Sequence, residues 1–164
     1  GRASGLTRTQ VGGFCEQSVM EVGMALLVVG AGGGFARVLR EAGIATALEH
    51  VTADLSLSPL VYAWLLAAFL RVATGSAAVA ITAGSGLLLP LLKTDPTINR
   101  ELAVLSLGFG SLFLSHLNDG GFWIVKTSLG MSVGETLRTW TVMETLIGLV
   151  GLGCTLILQM LLPH

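Results

Sequence analysis

Charge is scarce in this sequence. Of 164 residues only 12% are Asp, Glu, Lys or Arg, where a soluble domain usually carries about 25%. That deficit excludes an ordinary water-soluble globule, and with 52% hydrophobic residues and a mean hydropathy of +0.80 the natural solvent is lipid. A basic surplus is missing too: nine Lys and Arg face ten Asp and Glu, for a net charge of -1, so nothing neutralises phosphates and no nucleic-acid partner is expected. Four prolines beside 22 glycines exclude collagen and a proline-rich linker, and so much apolar surface excludes a disordered tail. Cysteine is nearly absent. Cys15 and Cys154 have no paired spacing, which gives neither a disulfide framework nor a zinc site, and both read as small apolar fillers. The opening Gly1-Arg2-Ala3-Ser4-Gly5 lacks the order of a signal peptide, and the expectation is a piece of a longer protein.

What is present is a set of uncharged stretches, Val22 to Ala36, Leu55 to Leu70, Val72 to Leu92, Leu102 to Asn118 and Thr145 to His164. Several fall short of the ~20 residues a helix needs to cross the hydrocarbon layer. Leu55 to Leu92 is far too long for one span and holds Arg71 and the small-residue run Thr74-Gly75-Ser76-Ala77-Ala78 near its middle. Pro59 suits a helix start and Pro90 a helix end, so two short arms meet at Gly75. The lengths predict a re-entrant helical hairpin over 59–92. The next segment, 101–129, is interrupted by Asn118-Asp119-Gly120-Gly121 and then resumes as Phe122-Trp123-Ile124-Val125, the pattern of a broken membrane helix. Irregular backbone at membrane depth is tolerated only inside protein or beside a water-filled cavity, so two neighbouring breaks predict one shared site.

The remaining text completes an all-α polytopic membrane protein. Residues 1–17 read as a polar N-terminal segment or linker, and 18–164 as the transmembrane transport region. A span over 18–34 ends in glycines. Phe35, Val38, Leu39, Ala42, Ala45 and Leu48 then recur at helical spacing, predicting an amphipathic interfacial helix over 35–51. A final span over 133–162 follows Ser132-Val133-Gly134-Glu135, the spacing of a capping box, and Gly148, Gly151 and Gly153 give it a smooth face for a neighbouring helix.

Two soluble-enzyme motifs are weighed and set aside. Val28-Val29-Gly30-Ala31-Gly32-Gly33-Gly34-Phe35 resembles a dinucleotide-binding turn, with Glu49 at about the expected distance, but Phe35 stands where the third glycine or alanine belongs and no strand and helix alternation follows. Gly130-Met131-Ser132-Val133-Gly134 matches a nucleophile elbow, which requires a preceding strand and a histidine and acid in range. Ser132 has a simpler job as a helix cap. No metal-ligand or triad spacing is evident, so an enzyme is not expected.

Six ionisable groups sit in apolar surroundings: Glu21, Arg71, His116, Asp119, Lys126 and Glu144. Intramembrane charges cost about 2.5 to 3.5 kcal/mol on insertion scales and usually face a cavity or a partner. Glu21, Lys126 and Glu144 fall near expected helix ends and read as snorkelling to water. Arg71, close to the hairpin turn, and Asp119, at the break, read as functional. His116 fits a packing residue or a proton carrier equally.

Four blocks now make a recognisable pattern: Gly30-Ala-Gly-Gly-Gly-Phe35, Leu70-Arg-Val-Ala-Thr-Gly-Ser-Ala77, Leu114-Ser-His-Leu-Asn-Asp-Gly-Gly-Phe-Trp123, and Gly134-Glu-Thr-Leu-Arg-Thr-Trp-Thr-Val-Met-Glu-Thr145. Together they resemble the C-terminal part of the gluconate permease family, proton-coupled sugar-acid symporters, from about Ser18 onward. Ala78 stands where many members carry Thr, and Gly121 where Ala or Ser is often found. The resemblance implies a transporter half built as one inverted repeat, in the cell inner membrane, completed by an N-terminal half and assembled as a homo-oligomer. It implies a small anionic substrate such as gluconate and no cofactor, the coupling ion being a proton, and a hairpin that enters from outside. Lys and Arg do not fix the orientation, since Arg37, Arg40, Lys93 and Arg100 on one side balance Arg2, Arg8, Lys126 and Arg138 on the other.

On this reading the helices starting near Ala77 and Phe122 aim free N-H groups at a carboxylate. Thr74, Ser76, Ser115 and Asn118 are expected to hydrogen-bond substrate hydroxyls, with Gly75, Ala77, Gly120 and Gly121 lining the backbone approach. An ionised Asp119 would repel the anion and a protonated one would not, which makes Asp119 the expected coupling group, His116 its alternative and Arg71 the counter-ion. Asp119→Asn is then expected to abolish proton-driven accumulation and leave exchange. The alternative is a non-transporting membrane scaffold, in which Ser76 and Asn118 tolerate Ala; a carrier for another hydroxy acid or for an amino acid such as D-serine is the remaining variant.

Overall fold

A computed structural model describes residues 5–43 and 57–162. Its described residues are helical, without strands: α1 (Arg8–Glu41), α2 (Pro59–Thr74), α3 (Ala77–Thr94), α4 (Arg100–Gly110), α5 (Gly120–Ser128) and α6 (Val133–Leu161). Neither soluble-enzyme motif follows a strand. The Val28 to Phe35 run lies inside α1, and Ser132 caps α6.

Helix α1 differs from the sequence expectation. Where a polar segment to residue 17, a span over 18–34 and a separate helix from 35 were expected, one helix runs unbroken from Arg8 to Glu41. Its start is set by Thr7 and Gln10. The Thr7 N-H donates to Gln10 Oε1 at 2.9 Å and the Gln10 N-H to Thr7 Oγ1 at 3.3 Å, a reciprocal cap whose spacing the polar composition concealed. Glycine costs about 1 kcal/mol in a helix interior, but with no turn residue to take up the chain the glycines stay helical and keep their backbone bonds. The rest of the expected interfacial helix, from 44 on, lies outside the described residues.

The core forms where α2, α3 and α4 meet. Leu60, Ala63, Leu66, Ala67 and Leu70 of α2 pack against Ala80, Ala83, Leu87 and Leu88 of α3 and Leu102, Ala103 and Leu107 of α4. Small residues let the axes approach closely, the means by which membrane helices associate when lipid is as apolar as the side chains. Ser106 Oγ adds a bond to the Leu60 carbonyl at 2.5 Å. Helix α6 seats Phe109 of α4 on its glycines. A Cβ on Gly148 would lie 2.9 Å from the Phe109 carbonyl oxygen, and one on Gly151 would enter the Phe109 ring, whereas Gly153 faces open space. Trp64 Nε1 donates to the Gly148 carbonyl at 2.8 Å, tying α2 to the same point. Gly151→Val is therefore expected to destabilise the protein by about 1 to 3 kcal/mol through overpacking, with Gly153→Val near neutral; thermal unfolding in detergent measures both.

Two helices, Ala77–Thr94 and Val133–Leu161, are long and apolar enough to cross a membrane, and Pro59–Thr74 is apolar but shorter. Many large apolar side chains, among them Phe69, Val104, Ile124, Val150 and Met160, are exposed, as expected of a lipid-facing surface. Cys15 and Cys154 are exposed as well, not packed as fillers, because they fall on faces of α1 and α6 that no described helix covers.

Candidate functional site

The hairpin turn is built by two residues. Gly75 closes α2 in the left-handed conformation, with φ 71° and its N-H on the Arg71 carbonyl, a geometry that glycine adopts without steric cost. Ser76 then turns extended and caps α3, its hydroxyl accepting from the Val79 N-H at 3.3 Å. The Thr74 hydroxyl donates to the Leu70 carbonyl at 2.7 Å and accepts from the Ser76 N-H at 3.3 Å. Ala77 opens α3 directly behind.

The second break is longer than its sequence signal. Helix α4 stops at Gly110 and α5 starts at Gly120, so 111–119 is irregular, and Leu114 holds a positive φ of 53°, a strained value for a bulky side chain. Helix α6 holds this linker. Thr141 Oγ1 donates to the Ser115 carbonyl at 2.5 Å, and Trp140 Nε1 to the Ser115 hydroxyl at 2.9 Å. Both lie in a π-helical stretch, Leu137–Thr141, a distortion frequent at functional sites.

The two breaks touch. Gly75 lies so close to Asn118 that a Cβ there would sit 2.7 Å from the Asn118 Cγ, and Asn118 Nδ2 donates to the Val72 carbonyl at 2.9 Å. Beneath this contact lies the charged pair: Arg71 Nη2 donates to Asp119 Oδ2 at 2.5 Å and Nη1 to the Gly75 carbonyl at 3.0 Å. Arg71 is only 4% exposed and Asp119 7%. Asp119 also caps α5, its Oδ1 accepting from the Gly121 N-H at 2.9 Å, and its Oδ2 accepts from the Ser115 hydroxyl. Three kinds of donor, a guanidinium, a hydroxyl and an amide, therefore converge on one carboxylate. Arg71 Nε is buried with no partner.

Of the residues singled out from the sequence, Arg71, Thr74, Gly75, Ser76, Ala77, Ser115, His116, Asn118, Asp119, Gly120 and Gly121 lie at or within about one turn of the two breaks, and the breaks meet. They differ in access: Asn118 and Gly120 are exposed, Thr74, Ser76, Ala77, His116 and Gly121 half-buried, and Ser115 fully buried with its hydroxyl occupied. His116 Nδ1 stands 3.4 Å from the Asn118 N-H. Lys126 places its Nζ 6.0 Å over the Trp123 ring. Among the described residues no three His, Cys, Asp or Glu side chains cluster as metal ligands.

Glu144 departs from expectation. It lies inside α6, 8% exposed, and feels the charges of Arg71 and Asp119, where the sequence reading put it at a helix end. The signal was a stripe: Thr141, Glu144, Gly148, Gly151 and Thr155, all buried, alternate spacings of three and four along one helix face. The expected span over 133–162 already contained it, but Glu144 stands at the edge of the uncharged run from Thr145 and reads there as a helix end.

The GntP family permease profile matches residues 1–161. The chain is 43% identical over 162 residues to a gluconate permease of Pseudomonas aeruginosa, covering 99% of this chain and 36% of that protein. It is 41% identical over 152 residues to the Gnt-II system L-idonate transporter of Escherichia coli, covering 93% and 34%, and 38% identical over 154 residues to the high-affinity gluconate transporter of the same organism, covering 93% and 35%. The chain spans about a third of the length of these curated relatives. No solved structure matches it.

Proposed function

Because the chain belongs to the GntP family of permeases, a transport family and not an enzyme family, we propose that it forms the C-terminal portion of a secondary transporter for gluconate or a related sugar acid. The observation that carries this reading is the contact of Gly75 with Asn118, which places two helix starts and a buried Arg-Asp pair at one point. The proposal puts α2 and α3 in the membrane as a re-entrant hairpin, α4 and α5 as the broken helix, and α6 as a full span. Helix α2, with 16 residues, measures about 24 Å at ~1.5 Å per residue, short of the ~30 Å hydrocarbon layer. An N-terminal half completes the transporter in the cell inner membrane, and the assembly is a homo-oligomer.

The substrate class follows the names of the relatives, which specify gluconate and L-idonate. The amino ends of α3 and α5 offer amides and partial positive charge to a carboxylate. Asn118 and the Thr74 and Ser76 hydroxyls supply the polar surroundings that fix a polyol chain, with Gly75, Ala77, Gly120 and Gly121 allowing backbone approach, while the expected contact of Ser115 gives way to a supporting one, its hydroxyl being held by Asp119 and Trp140. A substrate carboxylate at this point competes with Asp119 for Arg71, so anion entry and the charge state of the buried acids are linked. That linkage is proton symport. Asp119 transmits it through Arg71, and His116 lies close enough to sense it.

The full-length protein in proteoliposomes tests this. Labelled gluconate is expected to enter, unlabelled aldonic acids to compete, and D-serine not to. Asn118→Ala is expected to lower uptake by up to about tenfold, since one hydrogen bond contributes about 0.5 to 1.5 kcal/mol and about 1.4 kcal/mol is a factor of ten. Uptake by neither gluconate nor its relatives, or an Asn118→Ala protein with full uptake, would refute the site and favour a scaffold.

A further inference from the structure

Two of the three buried charges among the described residues have partners. Arg71 and Asp119 hold each other, and Asp119 is further held by the Ser115 hydroxyl and the Gly121 amide. Charge-assisted hydrogen bonds of this kind are among the strongest, and three donors occupy the Asp119 carboxylate. Glu144 is the opposite case. It is 8% exposed, no donor among the described residues reaches its carboxylate, and Arg71, the cation that acts on it, is already committed to Asp119. The charged groups that act on it are Arg71 from α2 and Asp119 from the linker, one attractive and one repulsive. Its position is fixed by its own helix: Thr141, three residues before, grips Ser115, and Gly148, four residues after, receives Trp64. An unpaired buried acid resolves its isolation by taking a proton.

We infer that Glu144 takes up and releases the coupling proton, while Asp119 serves as the fixed counter-ion that Arg71 leaves when the substrate carboxylate arrives. This rests on the reading of the chain as part of a proton-coupled sugar-acid permease. The charges balance on this assignment. In the empty site Arg71, ionised Asp119 and ionised Glu144 sum to one negative charge. In the loaded site Arg71, Asp119, the substrate anion and a neutral Glu144 sum to the same value. One proton therefore travels with each anion, and the site crosses between its two states without a change in its own charge. With Glu144 ionised and the anion present the sum would be one charge more negative in a low-dielectric setting, which is what forbids anion movement without the proton.

Full-length protein in proteoliposomes decides the matter. The wild type is expected to exchange labelled gluconate in counterflow and to accumulate it about tenfold for each unit of imposed pH gradient, the factor for one proton per anion. Glu144→Gln is expected to retain counterflow, now independent of pH, and to lose accumulation altogether. Asp119→Asn, expected from the sequence alone to leave exchange, is on this assignment expected to impair both, because it leaves Arg71 without its counter-ion. His116→Gln is expected to keep both. Full accumulation by Glu144→Gln, loss of its counterflow while the protein stays folded, or uncoupled exchange appearing in Asp119→Asn or His116→Gln instead, would each overturn the assignment. A measurement on the wild type covers the case in which the variant does not fold. Dicyclohexylcarbodiimide modifies protonated carboxyl groups in apolar surroundings, and peptide mass spectrometry is expected to find it on Glu144 and not on Asp119. Labelling on Asp119, or none on Glu144, would refute the proposal. Wild-type protein without gluconate counterflow would refute the permease reading itself, and the labelling pattern would still report on Glu144.

Discussion

Arg71→Leu is expected to abolish uptake and to cost about 3 to 5 kcal/mol of stability, the range seen when one partner of a buried ion pair is removed. The loss is large because the guanidinium does two jobs: it neutralises Asp119 and it fastens the Gly75 carbonyl, holding the hairpin turn against the break. Arg71→Lys is expected to recover part of the stability but little of the transport, since a single ammonium cannot present two donors in a fixed fork. The double variant Arg71→Met with Asp119→Leu separates the two jobs. It removes both charges, so most of the stability should return, while uptake stays absent. Thermal unfolding in detergent alongside gluconate uptake reads both quantities, and an Arg71→Leu protein that unfolds like the wild type would mean that the pair carries no structural weight.

The second large effect is expected at Gly75. With φ 71° any side chain is strained there by about 1 to 2 kcal/mol, and its Cβ would also run into the backbone of Asn118. Gly75→Ala must therefore push the hairpin turn and the linker apart. Displacing a positioned group by about 1 Å can cost on the order of a hundredfold in rate, and uptake is expected to fall at least that far. Gly130 is the control. It too has a positive φ, 63°, but nothing lies within 4 Å of its would-be Cβ, so Gly130→Ala should show only the conformational strain and keep most of the uptake. Equal losses in the two variants would show that close approach at Gly75 is not what matters.

Much of this is legible in the sequence. The hairpin turn at Gly75, the start of α2 at Pro59 and the cap at Ser132 were readable because each rests on local chemistry: a residue free to adopt positive φ, a ring that lacks an N-H, a serine three residues ahead of a glutamate. The sequence marks the break at Asn118 to Gly121 but only its second edge, since Leu102 to Leu117 holds no Asp, Glu, Lys or Arg and suggests a continuous helix. What ends α4 early at Gly110 is tertiary: α6 supplies Trp140 and Thr141 to bond Ser115, a partner 25 residues away or more that no local pattern announces. Glu144 escaped for a related reason. An acid at the edge of an uncharged run looks like a helix end, and only the close packing of Gly148 on Phe109 shows that the helix face carrying it points inward.

The π-helical stretch Leu137–Thr141 has a wider consequence. In a regular helix neighbouring residues point about 100° apart, yet the side chains of Trp140 and Thr141 both donate to Ser115, the first to its hydroxyl and the second to its carbonyl. The overwide turn supplies the extra residue that lets adjacent positions converge. Restoring ordinary winding would break one of the two grips and rotate Glu144, one turn further on, away from Arg71.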